Sequence, residues 1–428
     1  MKTMSLSVET EPSLERTADA ETLQEMRPIP RISIQAFCES EDVADVLRKT
    51  GQDRRLSKAH FGVRTGGIED ATEFYRATST PNLLILETHD EPGRLMQALE
   101  ALAEVCEPST KVVIIGHYND VSLYRDLMRA GVSDYLIAPV SLTDVITVIS
   151  DLFVDPAAEP LGRTIAFVGA KGGVGSSMIA HNVSWAMSEL LESQVMIADL
   201  DLPFGTANIN FDQDPPQGIA EAVYSPNRID EVYLDRLLAD CSQHLSLLAA
   251  PSSLERTYDF DAEAFSPVIE TAQRTVPNVV LDVPHGWTNW IQTTLARADE
   301  IVITAMPDLA NLRNAKNLID TLKKLRPNDP APRLIINQAG IPKKPEISVS
   351  EFCDPLGLTP LAVIPFDPQL FGKAANSGRP LAQINPKHPI SQTINTIAST
   401  LARRRGTASG GKESPLAWLL KGLGRKSK

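Results

Sequence analysis

Cysteine is scarce in this chain, and an excess of positive charge and long apolar runs are both missing. Only Cys38, Cys106, Cys241 and Cys353 occur in 428 residues, with no Cys-x-x-Cys spacing. That scatter argues against a zinc centre and predicts free thiols. Lys and Arg number 41 against 54 Asp and Glu, a net charge of −13. Such a balance argues against binding nucleic acid over the whole surface and leaves room only for a local basic patch. No stretch of about 18 apolar residues is present, so no membrane-spanning helix is expected. Residues 1–29 are polar and acidic without a continuous apolar segment, so no secretory signal is expected and a cytoplasmic placement is the simplest. What remains is 43% hydrophobic and 22% charged. That is the composition of globular domains with real cores, in a length that suits two or three of them.

Strand-like and helix-like segments alternate from residue 30 onward. Apolar runs at 31–38, 82–88, 111–116 and 134–140 are separated by stretches of helical periodicity such as 92–106 and 119–130. The alternation predicts an α/β domain over 30–152, with helices on both faces of a parallel sheet. The segment DPAAEPLG marks a linker, placed at 153–162. A second α/β domain is expected over 163–403, with strands at 164–168, 194–201, 245–250, 278–284, 300–306, 333–338 and 361–367. The expected fold class is two doubly wound parallel-sheet domains. A disordered tail is expected at 1–29 and a basic amphipathic one at 404–428.

The most informative stretch is FVGAKGGVGSSMIAHN, residues 167–182. It reads as an apolar strand, a glycine-rich turn and a helix, the layout in which backbone N–H groups and a helix N-terminus converge on phosphate. The candidate loop runs through Ala170, Lys171, Gly172, Gly173, Val174, Gly175, Ser176 and Ser177. Its glycines let the backbone approach phosphate oxygens and adopt positive φ. Ser177 stands where a hydroxyl would ligate Mg²⁺. Asp282 closes an apolar strand where a carboxylate can hold that metal. Asp199 and Asp201 close another, at the carboxyl edge where ligands bind in open parallel sheets. The usual lysine before Ser/Thr is replaced by Ser176, and another lysine, Lys171, stands at the front of the loop. His181 reads as a packing residue, and His285 lies beside Asp282.

The sequence GAKGGVGSS, followed by ADLDLPFGTANINFD, VVLDVPHG, LIINQ and IPFD, resembles the MinD/ParA family of deviant phosphate-loop ATPases over about residues 163–400. The resemblance implies ATP and Mg²⁺ as cofactors. It implies a homodimer in which Lys171 reaches the partner's nucleotide. It assigns Asp201 to orienting water, Asp199 and Asp282 to the metal side, and Asn337, Pro365 and Asp367 to the adenine. The serine at 176 supplies a donor without charge, so weak hydrolysis at most is expected, because charge stabilisation carries most of phosphoryl transfer.

The front domain resembles a response-regulator receiver, chiefly in strand order and in AGVSDYLIAPV. Its chemistry is incomplete. Glu87 holds the place of the nucleophile, Gly116 or His117 that of the switch hydroxyl, and Ala138 that of the lysine before Pro139. A pseudo-receiver that takes no phosphate is expected, with Glu87 either fixing an activated-like charge or being a solvated strand end. A pseudo-receiver followed by an altered MinD-like ATPase resembles the CpaE/TadZ proteins of Flp/Tad pilus assembly, as does FDPQLFGKAANSGRPL at 366–381. That implies partners in the pilus secretion machinery, often at a cell pole. The tail SPLAWLLKGLGRKSK could rest on an anionic inner-membrane surface. The alternative is a ParA-like DNA-segregation ATPase, with Lys316, Lys323, Lys324 and Arg326 as its basic patch.

Overall fold

A computed structural model describes Leu23 and residues 26–155, 161–252, 254 and 257–402. The expected basic tail, residues 156–160 of the linker and most of the expected N-terminal tail lie outside the described residues; of that N-terminal tail, Leu23 and Ile29 are buried in the front domain's core rather than disordered. Two sheets are present among them. The front sheet contains β1 (Ser33–Cys38), β2 (His60–Thr65), β3 (Leu83–Glu87), β4 (Lys111–Gly116) and β5 (Asp134–Ile137), in the order β2-β1-β3-β4-β5 and parallel throughout. The second sheet contains β6 (Arg163–Gly169), β7 (Val195–Asp199), β8 (Ala239–Asp240), β9 (Leu245–Leu248), β10 (Asn278–Val283), β11 (Glu300–Ala305), β12 (Arg333–Ala339) and β13 (Ala362–Pro365). Its order is β13-β12-β11-β6-β10-β7-β9-β8, parallel except for the short antiparallel pairing of β8 with β9.

Strand period explains the layering. In β3, Leu83 and Ile85 face one core with Ile34, Val113 and Ile115, while Leu84 and Leu86 face the other with Phe37 and Ile114. Alternate residues point to opposite faces, so a strand buried on both sides reads as an unbroken apolar run. The second domain repeats the scheme. Ala166 and Val168 of β6 pack into one core, and Ile165 and Phe167 into the other.

Three expectations change. β2 was not anticipated; its residues are at most half-buried on the sheet edge, so no apolar run announces it. β7 stops at Asp199, which leaves Asp201 in the following turn, where Phe204 and Gly205 bond back to it. Arg326 is buried, 6% exposed, so it does not belong to an exposed basic patch.

Arg326 belongs instead to an ionic contact between the domains. Arg54 reaches Asp329 at 3.0 Å and Asp299 at 3.1 Å, Arg55 reaches Asp329 at 3.1 Å, and Arg326 reaches it at 3.5 Å. Asp53 pairs with Arg55 at 2.9 Å and accepts from Asn328 at 2.9 Å. Burial would raise the Asp329 carboxyl, but Arg54, Arg326 and Arg55 together hold it below the usual range. Asp299 also accepts from Thr164 at the start of β6. The contact therefore lies at the opening edge of the second sheet, opposite the edge where β6, β7 and β10 end. No described helix is long and apolar enough to cross a membrane.

Candidate nucleotide site

β6 delivers the chain into the glycine-rich loop, and the helix Ser176–Leu190 carries it away. Gly173 and Gly175 have φ of +80° and +84°, values an L side chain adopts only with strain. A Cβ on Gly175 would stand 2.7 Å from Asn337 Nδ2. A Cβ on Gly172 or Gly173 would meet nothing within 4 Å, so that side of the loop is open.

The loop is fastened through its carbonyls. Asn337 donates to Val174 O at 2.8 Å, Gln338 to Gly173 O at 3.0 Å, and Asn314 to Ala170 O at 3.0 Å. His285 Nδ1 stands 3.0 Å from Gly169 O, tying the end of β10 to the loop. The N–H groups from Lys171 to Gly175 have no acceptor among the described residues. Backbone donors left free on a positive-φ turn, continued by an uncapped helix N-terminus, form a cradle for an anion. The Ser176 hydroxyl adds a second sign: it is buried and has no partner. A phosphate oxygen would satisfy it.

Beneath the loop, Asp282 of β10 and Asp199 of β7 lie side by side in the strand register. Both are buried, as is His181. His181 Nε2 lies 3.1 Å from Asp282 Oδ2, and Asn210 Nδ2 lies 2.8 Å from His181 Nδ1. An amide N–H donates to Nδ1, so Nε2 carries the ring proton and donates to the carboxylate. Asp199 accepts from the N–H of Asp201 at 3.1 Å and of Ala207 at 3.0 Å. Burial, then the adjacent Asp282, raises the Asp199 carboxyl to about 7. Burial also raises Asp201, which is half-buried. A divalent cation beside this pair would relieve both carboxylates, and hard oxygen donors suit Mg²⁺.

Comparison with known proteins agrees with this geometry. An AAA domain family matches residues 162–334. The septum site-determining protein MinD of Synechocystis sp. is 25% identical over 232 residues, covering 52% of this chain and 82% of that protein. The structure of a ParA family ATPase from Chlorobium tepidum superposes with a TM-score of 0.52, at 27% identity over 56% of this chain and 99% of that one. The pilus assembly protein CpaE from Caulobacter crescentus is 46% identical over 30% of this chain and 98% of its own, with a TM-score of 0.30. The chain belongs to the CpaE-like MinD/ParA ATPases.

In this CpaE-like ATPase the expected site residues fall into three groups. Ala170 to Ser177 form the loop, and Asp199 and Asp282 meet beneath it, with Asp201 in the adjoining turn. Lys171 is exposed at the front of the loop. Asn337 is brought to the loop itself, where its Nδ2 is engaged and its buried Oδ1 has no partner. Pro365 ends β13, and Asp367 caps the helix Pro368–Ser377 through Leu370 N. Sequence reading took His181 for a packing residue, where the structure bonds it to Asp282, and it left out Asn210, Asn314 and Gln338. One signal pointed to His181: it lies four residues after Ser177, on the same helical face.

Proposed function

We propose that this chain binds Mg²⁺–ATP at residues 170–177 and acts as a nucleotide-linked dimer that positions pilus assembly components. The observation that carries nucleotide binding is the open loop, with unpartnered N–H groups from Lys171 to Gly175 and an orphaned, buried Ser176 hydroxyl. The pilus role is supported by the 46% identity to the CpaE of Caulobacter crescentus.

Bound Mg²⁺–ATP supplies the reactive γ-phosphoryl group. The chain's own residues hold and orient it. The loop amides and Ser176 would cradle the phosphates, Ser177 and Asp282 would hold the metal, and Asp201 would orient water. His181 keeps Asp282 in place. Ser176 offers a hydrogen bond but no charge, which weakens phosphate binding by about 2–5 kcal/mol relative to a lysine there. Hydrolysis is correspondingly slow, so the bound state rather than turnover carries the function. Lys171, exposed on the loop, is the group that would reach a second copy's phosphates. The front domain serves as a pseudo-receiver for docking, and the basic tail at 404–428 as a contact with the inner face of the membrane.

Titration calorimetry with ATP and Mg²⁺, paired with sizing of the oligomer, tests this reading. ATP binds wild type and shifts it to a dimer. Lys171→Ala binds ATP but dimerises less. Failure of wild type to bind any nucleotide would overturn the assignment.

A further inference from the structure

The front domain carries a second cluster of ligating side chains, at the carboxyl ends of β1, β3 and β4. Glu87, the last residue of β3, is fully buried, which corrects its reading as a solvated strand end. It accepts from Ser40 N at 2.9 Å and from Ser40 Oγ at 2.6 Å. His117, just past β4, places Nε2 at 3.4 Å from Glu87 Oε1. His89, two residues beyond β3, stacks on His117 with ring centroids 3.8 Å apart and planes 18° apart. One oxygen of Glu87 and one nitrogen of each imidazole lie within 4.8 Å of one another.

We propose that Glu87, His89 and His117 form a binding site for a borderline divalent transition metal of the Zn²⁺ class. Three observations carry it. First, the spacing of His117 and Glu87 fits. Zn–N and Zn–O bonds of about 2.0–2.1 Å in a tetrahedron separate neighbouring ligand atoms by about 3.4 Å, the His117–Glu87 distance, which is long for a hydrogen bond.

Second, His89 is already oriented as a metal-binding histidine is. Its Nδ1 lies 2.8 Å from Glu39 Oε2, and the same oxygen accepts from the His89 N–H at 3.1 Å. An ionised carboxylate only accepts, so Nδ1 bears the proton and Nε2 presents its lone pair. Carboxylate–histidine–metal relays fix imidazole ligands in this way.

Third, the donor set selects the ion. Two imidazoles and one carboxylate suit Zn²⁺, Ni²⁺ or Cu²⁺, whereas Mg²⁺ demands an octahedron of oxygens. Both Glu87 oxygens already bear hydrogen bonds from Ser40, leaving few lone pairs for such a shell. The side chain of His89 is 52% exposed and that of His117 is 34% exposed, so an ion has a path in and one position stays open to water or a partner's side chain. The metal would tie the ends of β3 and β4 together.

The test is titration of the full, untagged chain with ZnCl₂ by calorimetry, with MgCl₂ as comparison and Co²⁺ absorption to report the ligands. Wild type takes up Zn²⁺ at this site with at least tenfold preference over Mg²⁺, and Co²⁺ gives tetrahedral bands without a thiolate charge-transfer band. The His89→Ala/His117→Ala pair weakens that uptake at least tenfold, and Glu87→Gln, which keeps the Ser40 Oγ contact, weakens it less. Wild type also gains thermal stability with Zn²⁺ that the pair does not. Circular dichroism matching wild type shows that the variants fold. Zn²⁺ uptake unchanged in the double variant, a thiolate signature, or preference for Mg²⁺ would overturn the proposal.

Discussion

His181 Nε2 lies 3.1 Å from Asp282 Oδ2 under the phosphate loop, and neither side chain is more than 4% exposed. The imidazole projects from the loop helix and the carboxylate from the end of β10, so one hydrogen bond spans the two elements that flank the nucleotide site. Removing the ring leaves a buried carboxylate without its donor. His181→Ala should lose about 1.5–3 kcal/mol of stability in the nucleotide-free protein, the range for a hydrogen bond to a charged group. Urea unfolding checks this; an unchanged midpoint and slope would show that the bond contributes nothing.

Asp199 gives a pH dependence of unusual sign. Its folded carboxyl is raised to about 7 by burial, then by Asp282, above the ordinary value of 3.8. Between those values the folded state binds more protons than the unfolded chain, so stability falls as pH rises through that window. Below about pH 4 both states are protonated and the penalty vanishes. Asp199→Asn removes a group that costs stability at neutral pH, so without nucleotide the variant should be more stable than wild type at pH 7.5, by an amount on the order of 2 kcal/mol. The difference should shrink towards pH 4.5. Thermal unfolding at both pH values tests this, and a gain that grew on acidification would contradict it.

Ser176→Lys restores a cation at the first residue of the loop helix. The loop amides and the acidic pair are already in place, so the added charge should act on phosphate directly. ATP affinity should rise at least about thirtyfold, the lower end of the 2–5 kcal/mol range for a desolvated charge contact, and phosphate release should accelerate. Binding calorimetry and a phosphate-release assay measure the two effects separately. Gly175→Ala, at φ +84° and with Asn337 Nδ2 2.7 Å from the added carbon, should abolish binding.

How much of this was legible in the sequence depends on whether a signal is local. The apolar runs of β3, β4 and β10 announce themselves because both faces of each strand are buried. The loop and its two carboxylates follow from chain order, since parallel strands bring their ends to one edge. β2 gave no such signal: HFGVRT is mostly polar or half-exposed and carries a glycine mid-strand. Contacts between distant residues were likewise hidden. Ser40 meets Glu87 across 47 positions, and Arg54 meets Asp329 across 275. Arg326 looked like one cation in a solvated helical run because nothing nearby in sequence reveals that Asp329 folds back against it, with Arg54 arriving from the other domain.

That interdomain contact supports the last prediction. Three guanidiniums, those of Arg54, Arg55 and Arg326, converge on Asp329, whose side chain is 2% exposed. Removing a partner from a buried ionic cluster costs about 3–5 kcal/mol, because the charges left behind stay buried and uncompensated. Asp329→Ala should therefore loosen the front domain from the ATPase domain rather than merely trim a surface pair. Every tryptophan of the chain, Trp185, Trp287, Trp290 and Trp418, follows the linker. Tryptophan fluorescence thus follows the ATPase side, while far-ultraviolet circular dichroism follows both domains. In wild type the two unfolding curves should coincide, as coupled domains require. In Asp329→Ala they should separate. A variant whose curves still coincide at the wild-type midpoint would show that the ionic contact does not couple the domains.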